Sequence, residues 1–238
     1  MSGLKITDLK VGYGRNEVIH GLDLEVQSGE KVALLGANGA GKSTVLKTIS
    51  GLLTPTEGNI TFDGEEIGGS NPAALVEMGV IQVPEGRRVF PGLNVEDNLK
   101  VANYGKSPDL LEEGLETVYK KFPILQERRK QAAGLLSGGQ QQMLSLSRAI
   151  IAKPKLLLID EMSLGLAPLL VKDFYEQLGD LFSEDVTLLL VEQNAGLALK
   201  YCSRFYVLRN GELVLQSNSE DYVDNPTALQ SAYLGVDA

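Results

Sequence analysis

Three continuous apolar runs interrupt a chain that otherwise alternates or repeats with helical period: KVALLG from Lys31, KLLLID from Lys155 and TLLLVE from Thr187. A strand covered on both faces needs no alternation, so these runs predict buried strands of a parallel sheet. Helical patterns follow them, which makes the fold class α/β with a parallel core sheet. Over the first 63 residues the remaining segments, LKITDLKV, LDLEV and NITFDG, alternate apolar with polar and are set off by Gly and Ser. They predict a small N-terminal antiparallel β subdomain. From Val95 to Ile151 the period changes, because VEDNLKVANY, DLLEEGLETVYKKF and LSGGQQQMLSLSRAII have helical spacing with no strand candidate between them. An inserted α-helical subdomain over about 92–152 is the expectation. In FYVLRNGELVL the Asn-Gly pair lies between two apolar runs, the strongest short-range hairpin signal. With no repeat, low-complexity tract or long linker, one domain over 1–238 with lobes is expected.

Composition narrows the partners. The chain carries 22 Lys and Arg against 31 Asp and Glu, a formal net charge of -9, which disfavours attraction to phosphate backbones or anionic lipid and argues against a nucleic-acid partner. Cys202 is the one cysteine, so no internal disulfide forms and a reducing compartment is expected. Apolar runs such as VTLLLV from Val186 are far shorter than the ~18 residues of a membrane span. The first residues, MSGLKITDLKVGYG, lack the apolar block of a signal peptide, so the expectation is a cytoplasmic location.

The chemistry concentrates in two places. GANGAGKST, from Gly36 to Thr44, satisfies G-x-x-x-x-G-K-[ST] between an apolar strand and a helical pattern. Gly36, Gly39 and Gly41 let backbone N–H groups curl around anionic oxygens, with Ala37, Asn38, Ala40 and Thr44 completing the loop. Lys42 can reach the β and γ phosphates of a nucleotide, and the Ser43 hydroxyl can ligate Mg²⁺. Further on, LLLIDE ends a strand in Asp160 and Glu161. Beside a phosphate loop, an aspartate so placed can hold Mg²⁺ through its waters, and the next carboxylate can deprotonate an attacking water.

A second glycine turn, LSGGQ, starts another helix at Ser137. In isolation these five residues read as a Ser N-cap before a flexible turn. The order phosphate loop, LSGGQ, LLLIDE resembles the ATP-binding cassette (ABC) ATPase family of P-loop NTPases over nearly the whole chain. The resemblance implies two nucleotide-binding domains packed head to tail, with the LSGGQ of one closing over the γ-phosphate held by the other. Ser137 would offer its hydroxyl, Gly138, Gly139 and Gln140 the start of a helix as a second anion site. It also implies ATP and Mg²⁺ as ligands, Tyr13 as the aromatic stacked on adenine, and Val18 flanking the base.

Four positions depart from the family pattern. The Gln that contacts Mg²⁺ and water is expected six residues before a proline, and counting back from Pro91 gives Glu85. A carboxylate there adds negative charge to the metal site and implies stronger Mg²⁺ dependence. The His expected after the third apolar run is Gln193, which donates a hydrogen bond but does not titrate near neutrality. Turnover is therefore expected to depend on Glu161, with Gln193 only positioning, and Lys42 completes the expected catalytic set. The one histidine, His20, is expected to be a packed or surface residue of the small antiparallel sheet. In DEMSLGLAP, Met162 replaces the usual Pro and Ala167 stands where an Asp is common, which puts the coupling role of that loop in doubt.

VPEGRRVFPGL, SLGLAP, LLLVEQNAGLALK and the closing AYLGV, together with Glu85 and Gln193, resemble one branch, the LivF-type ATP-binding subunits of branched-chain amino acid importers. That resemblance implies a peripheral subunit on the cytoplasmic face of the inner membrane. Its partners would be a second ABC ATPase, as a heterodimer or, in isolation, a homodimer, two membrane permeases and, indirectly, a periplasmic binding protein. Two alternatives stand beside it: an ATP-dependent clamp with weak hydrolysis, motivated by Glu85 and Gln193, and an ATPase serving another solute such as urea or an amide. Val89, Phe90, Pro91 and Leu93 form an apolar cluster that either caps the core or forms a groove for a permease helix, and exposure of Phe90 discriminates.

Overall fold

The computed structural model describes residues 3–103, 107–163 and 185–222, together with Val171, Tyr175 and Leu229. Ala167 and the closing AYLGV lie outside the described residues. The described residues fall into two compact units, the first drawn from within Met1–Gln82, Lys155–Glu161 and Phe182–Ala238, the second from within Val83–Pro154 and Met162–Leu181.

In the first unit, β1 (Gly3–Tyr13) and β2 (Asn16–Gln27) pair antiparallel, and β1 also pairs antiparallel with β4 (Glu57–Phe62), which carries the two-residue β5 (Glu65–Glu66). The expected antiparallel sheet thus has the order β2-β1-β4-β5. The three apolar runs are β3 (Lys31–Leu35), β7 (Leu156–Asp160) and β8 (Thr187–Glu192). β7 pairs parallel with β8, and β8 parallel with β3, within a six-stranded sheet ordered β10-β9-β3-β8-β7-β6. Every residue of β7 and β8 is buried, which is why neither alternates. β9 (Arg204–Arg209) runs parallel to β3, and β10 (Glu212–Asn218) returns antiparallel through a turn with Asn210 and Gly211 at φ 50° and 82°, the left-handed pair of a tight hairpin.

Helix α1 (Lys42–Ile49) turns Val45, Leu46 and Ile49 into a core shared with Leu4, Ile6 and Leu9 of β1 and with Val32 and Leu34 of β3. Helix α2 (Pro72–Met78) is closed by Asn71, whose side chain accepts from Ala73 N, by Pro72 in the first turn and by Gly79 at φ 94°, and it leads into β6 (Val80–Val83).

The second unit is helical: α3 (Val95–Val101), α4 (Pro108–Lys121), α5 (Pro123–Glu127) and α6 (Gly138–Ala152). Buried Asn98 of α3 holds the preceding loop, accepting from Phe90 N and donating to the carbonyls of Phe90, Leu93 and Asn94. Helix α7 (Ala195–Tyr201), in the first unit, is capped by Asn194, which accepts from Leu197 N. Among the described residues, no helix is long and apolar enough to cross a membrane.

Candidate functional site

Register in the parallel sheet sets the level of the functional residues. Leu34 of β3 is level with Val191 of β8, and Val191 with Asp160 of β7. Three adjacent strands therefore end together, and the residues after them, Gly36, Gln193 and Glu161, start their loops from one edge, where open α/β sheets bind ligands.

The phosphate loop leaves β3 and enters α1 at Gly41, whose φ of 110° belongs to glycine. Gly36 and Ala40 are buried, whereas Ala37, Asn38 and Gly39 form an exposed rim. A methyl group on Gly36 would meet the Leu208 carbonyl at 2.4 Å, and one on Gly41 would meet Ile19 Cδ1 at 2.6 Å, so neighbouring strands press on the loop. Lys42 Nζ donates to the Gly36 and Ala37 carbonyls at 2.8 and 3.0 Å and lies 2.9 Å from Glu161 Oε1, the two side chains being 3% and 11% exposed. Ser43 Oγ donates to Asp160 Oδ1 at 3.2 Å, and Asp160 is buried. Thr44 is buried, its carbonyl accepting from Thr48 Oγ1. Lys42, Ser43, Asp160 and Glu161 are thus brought together, an ammonium and an all-oxygen donor set of the kind that suits a nucleoside triphosphate with Mg²⁺.

Glu161 adopts φ 43°, the left-handed region, which costs a non-glycine residue about 1–2 kcal/mol. Its N–H donates to Val191 O at 3.0 Å. Strain of this kind persists where the surroundings hold it, often at functional positions. Gln193 is exposed between β8 and α7.

Tyr13, 47% exposed at the end of β1, accepts from Lys47 Nζ at 3.4 Å, and the same ammonium lies 5.7 Å from its ring centroid. Val18 is partly buried against the core, close to Gly41. His20 is exposed at the surface of the antiparallel sheet, its Nδ1 2.9 Å from Glu17 Oε1. Burial pushes the Cys202 thiol up to about 12, with Lys31 working against the shift, so this cysteine is no nucleophile near neutrality.

One contributor carried no sequence signal of its role. In the β9–β10 turn, Gly211 N donates to Ala40 O of the phosphate loop at 3.0 Å, and Gly211 O accepts from His20 N at 3.1 Å. The Asn-Gly pair, legible as a hairpin, is also a brace between the loop and β2. A methyl group on Gly211 would meet Val18 O at 2.0 Å.

In the second unit, Ser137 caps α6 with a capping box: its Oγ accepts from Gln140 N at 3.4 Å and Gln140 Oε1 accepts from Ser137 N at 3.0 Å. A hydroxyl that accepts within its own helix still has a hydrogen to donate outward. Gly138 and Gly139 form the first turn, and the Arg87 guanidinium comes within 2.6 Å of where a Gly138 side chain would begin, while Arg87 Nη1 donates to Gln141 Oε1 at 3.4 Å. Glu85 is exposed in the same unit, its carbonyl accepting from Arg88 Nε at 3.3 Å.

The ABC transporter family model matches residues 19–163. The chain is similar to the high-affinity branched-chain amino acid transport ATP-binding protein BraG of Pseudomonas aeruginosa, with 45% identity over 94% of this chain and 95% of BraG. It is also similar to BraF of the same organism, named for the same transport, with 30% identity over 98% of this chain and 97% of BraF. The fold matches a nucleotide-free ATP-binding cassette from an ABC transporter with a TM-score of 0.87 over 100% of both chains, at 24% identity.

Proposed function

The chain belongs to the ABC transporter family, and on that premise we propose that it is the ATP-binding and ATP-hydrolysing subunit of an importer for branched-chain amino acids. The convergence of Lys42, Ser43, Asp160 and Glu161 at the ends of β3 and β7 carries the proposal. Backbone N–H groups of Gly36–Thr44 receive the phosphates, aided by the dipole of α1, and Lys42 exchanges loop carbonyls for phosphate oxygens. Ser43 and Asp160 would hold Mg²⁺, which when bound neutralises charge on the triphosphate, and Glu85, in the loop after β6, is proposed as a further ligand. Glu161 accepts the proton of the attacking water at a carboxylate oxygen, and Gln193 orients by hydrogen bonding. Tyr13 and Val18 hold the base.

Ser137, Gly138, Gly139 and Gln140 serve the nucleotide of a second ATPase subunit. That BraG and BraF occur in one organism, both named for this transport, supports a heterodimer. Phe90 is 42% exposed and Leu93 39%, which favours the permease-docking reading of their cluster over the core-capping one. The subunit thus works at the cytoplasmic face of the membrane, moving permeases as its dimer closes on ATP and reopens on hydrolysis.

The full chain with its partner ATPase is tested by ATP titration and steady-state hydrolysis, and the complete transporter by uptake of radiolabelled leucine, isoleucine and valine. Saturable ATP binding, Mg²⁺-dependent turnover and uptake lost in Glu161→Gln are expected. Binding without turnover in the assembled pair would favour the clamp, and turnover without branched-chain uptake another solute.

A further inference from the structure

We propose that Gln142, which lies outside the motifs assigned above, is a positioning residue for Glu161, acting through the backbone of Met162. Gln142 sits on α6 and is 4% exposed. Its Nε2 donates to Met162 O at 2.8 Å and lies 2.8 Å from Met162 Sδ, while Met162 is itself fully buried. Met162 follows Glu161 directly in the chain.

Glu161 stands at φ 43°, a conformation that relaxes unless the chain is held on both sides of it. On the amino side its own N–H is tied to Val191 O. On the carboxyl side the tie is Gln142, because a buried Met162 carbonyl needs a donor and the Gln142 amide supplies it without bringing a charge into the interior. An apolar side chain of equal length fills the same space but leaves that carbonyl free to swing, and the Glu161 carboxylate swings with it.

The placement on α6 adds a second consequence. The first turn of this helix carries Ser137, Gly138 and Gly139, which face the opposite subunit's nucleotide in the function proposed above, on which this inference rests. One rigid helix then engages the neighbour's triphosphate at its start and holds the backbone after its own chain's general base one turn later.

Two variants of the full chain with its partner ATPase test this: Gln142→Met removes the donor at constant length, and Gln142→Glu replaces it with an acceptor. Met162→Leu keeps the carbonyl and removes the sulfur. The readouts are amide hydrogen exchange of the peptide containing Glu161, ATP affinity and kcat. In both Gln142 variants the Glu161 amide is expected to exchange about tenfold faster or more and kcat to fall about tenfold, with ATP affinity within about twofold. Met162→Leu is expected to match the parent in all three. Unchanged exchange at Glu161 overturns the proposal, as does a loss of ATP affinity in step with kcat. Unfolding of both Gln142 variants also overturns it, since Gln142 would then serve the fold at large. Should the parent pair bind ATP without turnover, the role given to Glu161 fails, while the exchange measurement still decides whether Gln142 holds that backbone.

Discussion

The Lys42 ammonium and the Glu161 carboxylate stand 2.9 Å apart in a nearly dry setting, one at the start of α1 and the other just past β7. Residues far apart in sequence become an ion pair because parallel strands end level with one another. The pair joins the group proposed to bind phosphate to the group proposed to activate water.

Glu161→Gln keeps the shape and removes the basic oxygen. It is expected to lower kcat by about 10²–10⁴-fold while ATP affinity changes little. Gln193→Ala removes a positioning contact and is expected to lower kcat by about tenfold or less. Steady-state hydrolysis with equilibrium titration checks both, and a Glu161→Gln protein that turns over normally refutes the assignment.

Glu85→Gln removes one negative charge from the proposed metal set. ATP binding is expected to depend less on Mg²⁺ than in the parent chain, read as a smaller ratio of affinities with and without the ion. Equal ratios in the two proteins would rule out the role given to this carboxylate.

Tyr13 has an exposed ring face, and base stacking is its proposed use. Tyr13→Ala is expected to weaken ATP binding by about threefold to tenfold, the scale of one aromatic contact, with no change in thermal midpoint. Tyr13→Phe is expected to retain most of the affinity.

Gly211→Ala places a methyl group against the Val18 carbonyl at a position whose φ is 82°. It is expected to cost about 1–3 kcal/mol of stability. Because the turn must shift to relieve that clash, it draws the residue-211 N–H away from the Ala40 carbonyl of the phosphate loop, and ATP affinity is expected to fall as well. Thermal melts with and without ATP separate the two effects, and Asn210→Gly serves as the control turn substitution.

The Arg204–Glu30 pair predicts acid sensitivity. Burial pushes the Glu30 carboxyl up, but the Arg204 guanidinium and the Gln27 backbone N–H outweigh it and hold the group below its ordinary value of 4.5. A carboxyl depressed in the folded state contributes stability above its unfolded value, and that contribution is lost as the pH falls through the folded value. The thermal midpoint is therefore expected to drop as pH is lowered below about 4.5. Arg204→Met removes the main group that holds the carboxyl down, so this pair's share of the acid-induced drop is expected to shrink or vanish.

The three buried strands, the antiparallel sheet and the hairpin were legible because each has its own local pattern, and the phosphate loop because its spacing is a physical requirement. BraG, named for branched-chain amino acid transport, bears out the resemblance drawn from VPEGRRVFPGL and LLLVEQNAGLALK. Helix α2 was not assigned from pattern: seven residues hold too few turns for periodicity, although Asn71, Pro72 and Gly79 spelled out its caps. Neither the ties of Gly211 to Ala40 and His20 nor the reach of Gln142 to Met162 leaves a local trace. Both join residues remote in sequence, and a glutamine inside a helix looks like any solvated helix former. The left-handed Glu161 was equally hidden, since it is imposed by tertiary hydrogen bonds and not by residue type.

The brace from Gly211 reaches back to Ala40, 171 positions earlier in the chain. During synthesis the phosphate loop emerges from the ribosome early, whereas the turn that steadies it is translated late. A chain terminated between Gln193 and Arg204 would carry every nucleotide motif named above and still lack the strand and turn that support the first of them. The phosphate loop therefore gains this support only once residue 211 has been made.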